Sequence, residues 1–361
     1  MANSAITGKA QTVLGPVDPQ DLGVVLPHEH LLFDFSVTFS EPDAASEKLL
    51  AYQPITLENV GWLRMNHDKH RDNVRLLDED VAVSELAGYQ REGGRTVIEV
   101  TPRDQGRDPA GLQRIARATG LNIVMGTSYY VARAHPRELE DWTERQIADQ
   151  FIADVTVGAE GGARAGLIGE IGCSWPLAKR EIKVLRAGAV AQRATGAPLM
   201  VHPGPDESAP AEIVQVLRDA GADLTRTIMC HMPRTLFRRE SRLKLAETGC
   251  YLEWDAFGRG SYYYAWGTFT KLYNRAPIVL ADDPRQFDDI QDLIAAGYLK
   301  QILLSHDVCF KMQMARYGGY GYGYLLRYGV PLMRIKGMTD AQINTIMVEN
   351  PARLLRFVPP G

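Results

Sequence analysis

The chain lacks the features that would direct it to a membrane, a nucleic acid or an oxidising compartment. No run approaches the ~20 apolar residues that a membrane helix requires, and the opening Met-Ala-Asn-Ser-Ala-Ile-Thr-Gly-Lys has no basic segment followed by an apolar stretch. Formal net charge is −4 over 361 residues, so there is no concentrated positive field of the kind that grips phosphate backbones. The basic runs Lys69 to Arg75 and Arg238 to Lys244 are interspersed with Asp and Glu and read as solvated helix faces. There are only four cysteines, Cys173, Cys230, Cys250 and Cys309, with no C-x-x-C pair; they read as buried free thiols of a reducing compartment. Cys230 precedes His231, but neighbours on a strand point to opposite faces, a poor geometry for an activated thiol. No G-x-G-x-x-G follows the first strand and no flavin motif is present, which argues against a redox enzyme. These absences predict a cytoplasmic protein with no nucleic-acid or membrane partner.

With 45% hydrophobic and 23% charged residues the chain can bury a large core. Short apolar runs alternate with longer helical patterns. Eight candidate strands emerge: Gly23 to His30, Arg95 to Pro102, Leu121 to Val131, Gly166 to Ser174, Pro198 to Gly204, Arg226 to Met232, Gly249 to Phe257 and Gln301 to Asp307. Amphipathic stretches lie between them, at Asp78 to Glu92, Ala110 to Thr119, Glu144 to Val157, Arg180 to Ala194, Glu212 to Ala220, Arg239 to Thr248 and Gln286 to Ala296. Gly93, Gly120, Gly196, Gly221, Gly249 and Gly297 stand where helices end on glycine. Eight βα units suit a closed (β/α)8 TIM barrel, an α/β fold formed by a single domain over 1–361, better than an open sheet. Gly8 to Gly15 reads as a strand that turns at Pro16 to Pro19, pairs with the approach to the first barrel strand and covers the barrel bottom. The long stretches Phe33 to Leu77, Gly258 to Arg285 and Cys309 to Tyr328 would follow strands 1, 7 and 8, where barrel active sites are built.

The first strand ends in His28-Glu29-His30, and a two-residue period puts both imidazoles on one face with Glu29 turned away. Three more apolar runs deliver a ligand type at their ends: Pro-Leu-Met-Val-His202, Thr-Ile-Met-Cys-His231 and Ile-Leu-Leu-Ser-His306-Asp307. Glu170 lies within Ile-Gly-Glu-Ile-Gly-Cys near the end of the fourth strand. A lone carboxylate there would cost several kcal/mol to bury, a cost that divalent cations offset, and its two oxygens suit a bridge between ions about 3.5–4 Å apart. His28, His30, Glu170, His202, His231 and Asp307 are therefore the expected ligands of two divalent ions, zinc first, with Mn, Co or Fe as alternatives. His67, His70 and His135 lie in polar sequence and read as solvent-exposed or capping. His306, pointing away from Asp307, reads as structural.

These residues, with Gly-Lys-Ala-Gln-Thr-Val-Leu-Gly, Ile-Gly-Cys-Ser-Trp-Pro-Leu, His-Pro-Gly, Gly-Cys-Tyr-Leu-Glu-Trp-Asp and Tyr-Gly-Gly-Tyr-Gly-Tyr, make a chain that resembles the phosphotriesterase family of the amidohydrolase superfamily, and most closely its phosphotriesterase-related branch. The resemblance spans nearly the whole chain. It implies that His28, His30 and Asp307 bind the more buried ion, that His202 and His231 bind the more exposed one, and that Glu170 bridges them in place of the carboxylated lysine of other members. It also implies hydrolysis of organophosphate triesters, of lactones or, as in vertebrate members of the branch, of N-acetyltaurine. The chain departs from the branch at Pro205, where the branch carries Arg, and at Tyr320 and Tyr324, where it carries His. The stretch Tyr262 to Tyr264, Trp266 and Phe269 is also more aromatic than the branch leads one to expect.

Two ions sharing a water bring its pKa to around 7 or below, giving a bridging hydroxide as nucleophile. Asp307 is then the natural proton acceptor. Tyr130 resembles a family tyrosine that leans toward the metals, the alternative being a packed aromatic. Arg234 would hold an anionic tail of the substrate, the alternative being a surface or ion-paired arginine, and Tyr320 is the other expected substrate contact. The expected activity is cleavage of a small amide of N-acyl amino acid or N-acyltaurine type, or of a carboxylic ester. The alternatives are a phosphotriesterase or lactonase and, in a different class, a barrel that binds small molecules without turnover. The exposed aromatic loops are compatible with a homodimer.

Overall fold

The computed structural model describes residues 6–259, 263–264 and 278–361. The strands are β1 (Ala10–Thr12), β2 (Gly15–Val17), β3 (Val24–Glu29), β4 (Phe33–Asp34), β5 (Arg75–Leu76), β6 (Gly94–Glu99), β7 (Asn122–Thr127), β8 (Leu167–Gly172), β9 (Leu199–His202), β10 (Thr227–Met229), β11 (Tyr251–Trp254), β12 (Tyr263–Tyr264), β13 (Ile278–Val279) and β14 (Ile302–Leu304). Eight of them form one parallel sheet in the order β14-β11-β10-β9-β8-β7-β6-β3. These are the eight strands read from the sequence, each flanked by a helix or loop, and they make a (β/α)8 barrel. No helix among the described residues is long and apolar enough to cross a membrane. All four cysteines are free and buried.

One buried side chain from each barrel strand, Val25, Ile98, Val124, Leu167, Met200, Ile228, Tyr251 and Leu303, joins a single apolar cluster that fills the interior. Such a filling makes the barrel a packed core with no open pore. Ala10, Leu22, Leu354 and Leu355 join the same cluster.

The helices run where expected, and the six glycines proposed to end them all have positive φ, from 69° to 97°. Two helices start a turn earlier than the apolar pattern indicates, at Ala209 and Asp283. In both a proline occupies the first turn, where its missing N–H is no loss, and Asp282 caps the second by accepting from the Arg285 amide. Four strands are much shorter than read, because the residues beyond them leave the ladder to enter the site. His231 (φ 60°) and Asp307 (φ 50°) are the two non-glycine residues in the left-handed region among the described residues.

The N-terminal hairpin turns earlier than the sequence suggested. β1 pairs antiparallel with β2 across Val13 and Leu14, and Pro16 sits opposite Gln11 inside the second strand. The Thr12 hydroxyl accepts from the Leu14 amide (3.3 Å) and donates to the Gly15 carbonyl (2.7 Å), fixing the turn. A two-stranded ribbon leaves Pro16 on an edge, where no donor is required. The hairpin does sit at the barrel bottom: the Val13 amide donates to the Ile123 carbonyl at the start of β7. A Cβ at Gly166 would stand 2.2 Å from the Gln11 carbonyl oxygen, so the docked hairpin requires glycine there.

Closure of the barrel between β14 and β3 is made largely by Glu29. Its carboxylate accepts from the Ser305 hydroxyl (2.8 Å), the His306 amide (3.0 Å), His306 Nδ1 (2.7 Å) and the Val308 amide (2.8 Å). The His28 amide donates to Ser305 Oγ (3.1 Å), and the Asp307 amide to the His28 carbonyl (3.2 Å). His306 Nε2 accepts from the Leu325 amide at 3.0 Å, so this histidine is structural, as expected.

Removing a buried carboxylate that satisfies four donors leaves them unpaired, so Glu29→Ala should lose about 3–5 kcal/mol in the first urea unfolding transition. A loss below ~0.5 kcal/mol would show that closure does not depend on Glu29.

Candidate metal centre

The ends of β3, β8, β9 and β10 and the turn after β14 bring His28, His30, Glu170, His202, His231 and Asp307 together, all buried. The two oxygens of Glu170 face different partners. Oε2 lies 3.5 Å from His28 Nε2 and 3.8 Å from His30 Nε2, and the same two nitrogens stand 3.9 and 3.4 Å from Asp307 Oδ1. Two ligands about 2.1 Å from one tetrahedral ion are about 3.4 Å apart, so these four atoms have the spacing of a shared cation. Oε1 instead meets His202 Nδ1 in a short contact and His231 Nε2 at 3.1 Å, with the two ring nitrogens 2.7 Å apart. That half is more contracted than a coordination shell and has to open slightly to take an ion.

His28 Nε2 supplies an independent test of fit. It is fully buried and has no hydrogen-bond partner, which is costly for an imidazole nitrogen unless something else takes its lone pair. The outer nitrogens are committed elsewhere. His28 Nδ1 meets Glu253 Oε2 at 2.9 Å, and His231 Nδ1 meets Asp255 Oδ2 at 2.9 Å. His30 Nδ1 meets the Thr101 hydroxyl at 2.9 Å, which in turn donates to Glu99 at 2.5 Å. Each such contact fixes the tautomer that leaves Nε2 aimed inward, as the outer partners of ligating histidines do.

Charge points the same way. Six carboxylates, Glu29, Glu99, Glu170, Glu253, Asp255 and Asp307, are buried here against two buried arginines, Arg234 and Arg259. Burial works to raise Glu170, but the imidazoles of His202 and His28 and hydrogen bonds from His202 and His231 hold it well below the ordinary carboxylate range. Asp307 is likewise lowered: burial opposes, and Arg259, His30, His28 and His231 prevail. His202 is pushed down to about 3, by burial first and then by His231 and Arg234, against the pull of Glu170. Burial opposes but Glu170 raises His28 and Asp255 raises His231, so the imidazoles are drawn to the carboxylates, and a cation in their midst would take the place of those protons. These buried His, Glu and Asp groups are consistent with a binuclear metal site.

The remaining predicted residues divide. The Tyr130 hydroxyl lies 3.4 Å from His202 Nε2, with the two rings in a T-shaped contact. Arg234 is buried, contrary to the surface alternative; it donates to the Pro203 carbonyl (3.1 Å) and approaches His202 Nε2 at 2.9 Å. Tyr320 stands apart from the cluster: it is 60% exposed, and its ring packs on Tyr324 and Tyr328. Tyr324 donates to Asp283 at 2.5 Å. Of the aromatic stretch Tyr262 to Tyr264, Trp266 and Phe269, only the backbone of Tyr263 and Tyr264 falls within the described residues, in a ribbon with β13. Cys230 is buried, and burial first, then Glu253, pushes its thiol well above the ordinary range, the opposite of what a thiolate nucleophile needs.

The polar-sequence histidines are not solvent-exposed. His67, His70 and His135 are buried, because the long loop after β3 and the turn after β7 fold onto the barrel mouth. His67 packs edge-on against Phe310. His70 does cap, accepting from the Asn73 amide at 3.2 Å while Nε2 meets the Gln53 carbonyl at 2.8 Å. His135 Nε2 donates to the Tyr130 carbonyl at 2.6 Å, bracing the turn that carries Tyr130.

Sequence reasoning missed Glu253, Asp255, Thr101, Glu99 and Arg259. Glu253-x-Asp255 ends an apolar strand with the same two-residue period as His28-x-His30, a signal that was there to be read. Thr101 and Arg259 carry none.

Two measurements test this account. Glu170→Ala should retain at most one divalent ion per chain after dialysis, read by elemental mass spectrometry; two retained ions would remove Glu170 as a shared ligand. Burial pushes His135 down to about 4, below its unfolded value. The neutral form is thus favoured by folding, a contribution complete above about pH 6.5 and lost as pH falls toward 4, amounting to ~3 kcal/mol. His135→Gln should flatten the fall in stability over that window; an unchanged slope would refute the assignment.

A model of the "Phosphotriesterase family" matches residues 8–355. The chain is 39% identical to a phosphotriesterase-related protein of Nematostella vectensis, over 97% of this chain and 99% of that one. It is 38% identical to the N-acetyltaurine hydrolase of Salmo salar, over 98% and 99%. A crystal structure of a resiniferatoxin-binding protein from Rhodobacter sphaeroides superposes with a TM-score of 0.91 at 37% identity, covering 96% of this chain and 95% of that one. With the family model spanning almost the whole barrel and a buried carboxylate–imidazole cluster at its mouth, the chain belongs to the phosphotriesterase family and is a hydrolase of that family.

Proposed function

We propose that the protein is a binuclear metal-dependent hydrolase of a small amide, of N-acyl amino acid or N-acyltaurine type, or of a related carboxylic ester. The observation that carries the reading is the division of Glu170: one oxygen turned to His28 and His30, the other to His202 and His231. His28, His30 and Asp307 would hold one cation, His202 and His231 the other, and Glu170 would be shared, with no modified lysine needed. The nitrogen and oxygen donors suit zinc first, then Mn, Co or Fe.

Bound there, two such cations would supply an activated water at neutral pH and polarise the scissile carbonyl. The chain's own residues do the rest. Asp307, ionised beside the cluster, would take the proton of the attacking water and return it to the leaving nitrogen. Tyr130, its hydroxyl beside His202, orients the acyl group. Arg234, a buried guanidinium on the same side of the cluster, attracts the carboxylate or sulfonate tail of an N-acylated acid. The amide reading is favoured over the phosphotriester and lactone readings by the full-length likeness to an N-acetyltaurine hydrolase.

Protein reconstituted with zinc should be assayed against N-acyl amino acids, N-acyltaurines, lactones and an aryl phosphotriester. Amide turnover is expected to disappear with a chelator, to return with zinc, and to fall by about 10²–10⁴-fold in Asp307→Asn. Arg234→Met should raise KM for anionic amides and leave neutral esters unaffected. Turnover indifferent to chelation and to Asp307→Asn would sink the proposal. Faster cleavage of the phosphotriester or lactone would transfer the assignment to that substrate, and tight binding without any turnover would make the chain a binding barrel.

A further inference from the structure

Arg259 stands at the start of the long stretch after β11, was not among the residues expected to serve the site, and has its guanidinium buried against Asp307. Nη2 stands 2.6 Å from Asp307 Oδ2, and Nε donates to the His306 carbonyl at 3.1 Å. Nη2 also makes a short hydrogen bond to the Asp307 carbonyl and lies 3.7 Å from Cys309 Sγ. The side chain therefore grips one carboxylate oxygen and two successive backbone carbonyls of a single turn. That turn needs holding, because Asp307 has φ 50°, a left-handed conformation that residues other than glycine adopt at a cost.

The consequence lies in which oxygen is taken. Asp307 Oδ1 faces His30 Nε2 and His28 Nε2 at 3.4 and 3.9 Å, whereas Oδ2 faces Arg259. A carboxylate free to rotate would present either oxygen, or both, to a cation. Held by a planar, always-charged fork, it presents only Oδ1.

We infer that Arg259 is a positioning residue, which divides the Asp307 carboxylate so that Oδ1 alone completes the nest formed with His28, His30 and Glu170. Arg259 does not touch the substrate; it acts through Asp307. The inference rests on the binuclear reading above. It predicts an asymmetric effect, since Arg259 acts on Asp307, the ligand assigned to the ion of His28 and His30; the oxygen it holds stands 4.0 Å from His231 Nδ1, beyond bonding distance.

The test uses the full-length chain as wild type, Arg259→Met and Arg259→Lys, each titrated with zinc in competition with a chromogenic chelator, alongside melting temperature and steady-state kinetics. In Arg259→Met the dissociation constant of one of the two ions should rise about 10–100-fold with the other unchanged. kcat should fall while KM stays within about twofold. Arg259→Lys, which keeps the charge and loses the fork, should lie between. Wild-type affinity for both ions in Arg259→Met would overturn the inference. So would equal weakening of both ions accompanied by a fall in melting temperature, the pattern of a merely structural arginine. If Arg259→Met does not fold, Arg259→Lys decides: one ion selectively weakened supports the inference, and two wild-type constants refute it. A wild-type chain that takes up fewer than two ions would sink the binuclear reading and this inference with it. Two tight ions that neither variant disturbs would sink this inference alone.

Discussion

Negative charge packed away from water is the condition that organises this molecule. Six carboxylates are buried at one end of the barrel, with two arginines among them. An ionised carboxylate costs several kcal/mol to bury unless a partner is positioned against it, so the remaining partners have to be strong and close. Around Glu29 they are hydrogen-bond donors, four of them, and the result is a closed barrel. Around Glu170 and Asp307 they are imidazole nitrogens at coordination spacing, and the result is a place for cations. The same electrostatic problem is solved in two ways a few residues apart.

The scaffold makes this possible because it is rigid where the charges converge. His28, Glu170 and His202 stand within their strands, whereas the ladders of β10 and β14 stop short of His231 and Asp307, which turn into the left-handed region to aim their side chains. Behind them Glu253, Asp255 and Thr101 hold the outer faces of three imidazoles. The aromatic file His30, Phe33, Phe35 and Tyr130, with Phe35 also against Phe310, packs the mouth around the centre. Low-dielectric walls of this kind strengthen every ionic contact inside them.

Much of this was legible from residue order alone, because both the strands and the ligands announce themselves locally. An apolar run followed by His202, His231 or Asp307 is a complete statement: the run fixes a barrel strand and its end faces the rim. Glu170 was readable because a carboxylate flanked by Ile and Gly on both sides has no local way to stay solvated. What escaped was non-local. Arg259 lies beyond the end of its strand, and nothing near it in sequence says that the turn after β14 will fold over it. His67, His70 and His135 sit among polar neighbours that suggest exposed or capping imidazoles; the long loops bury all three, and His70 does cap. Tyr320 illustrates the converse: an aromatic in a loop at the correct end of the barrel is not thereby turned inward, and its ring lies on the outer surface with Tyr324 and Tyr328. The hairpin turn and the two early helix starts hinge on Thr12, Pro210 and Asp282, single residues whose influence an apolar pattern does not register.

The seam between the first and last barrel strands joins groups 276 to 279 positions apart. As the ribosome releases the chain, His28 and His30 are present from early on, but their backbone partners in Ser305 and Asp307 arrive only after nearly the whole barrel has been made. Contacts spanning so much sequence form late. The cluster is therefore complete only when the two ends have met: a chain clipped before residue 305 keeps four of the imidazoles yet has neither the aspartate nor the closed wall that confines them.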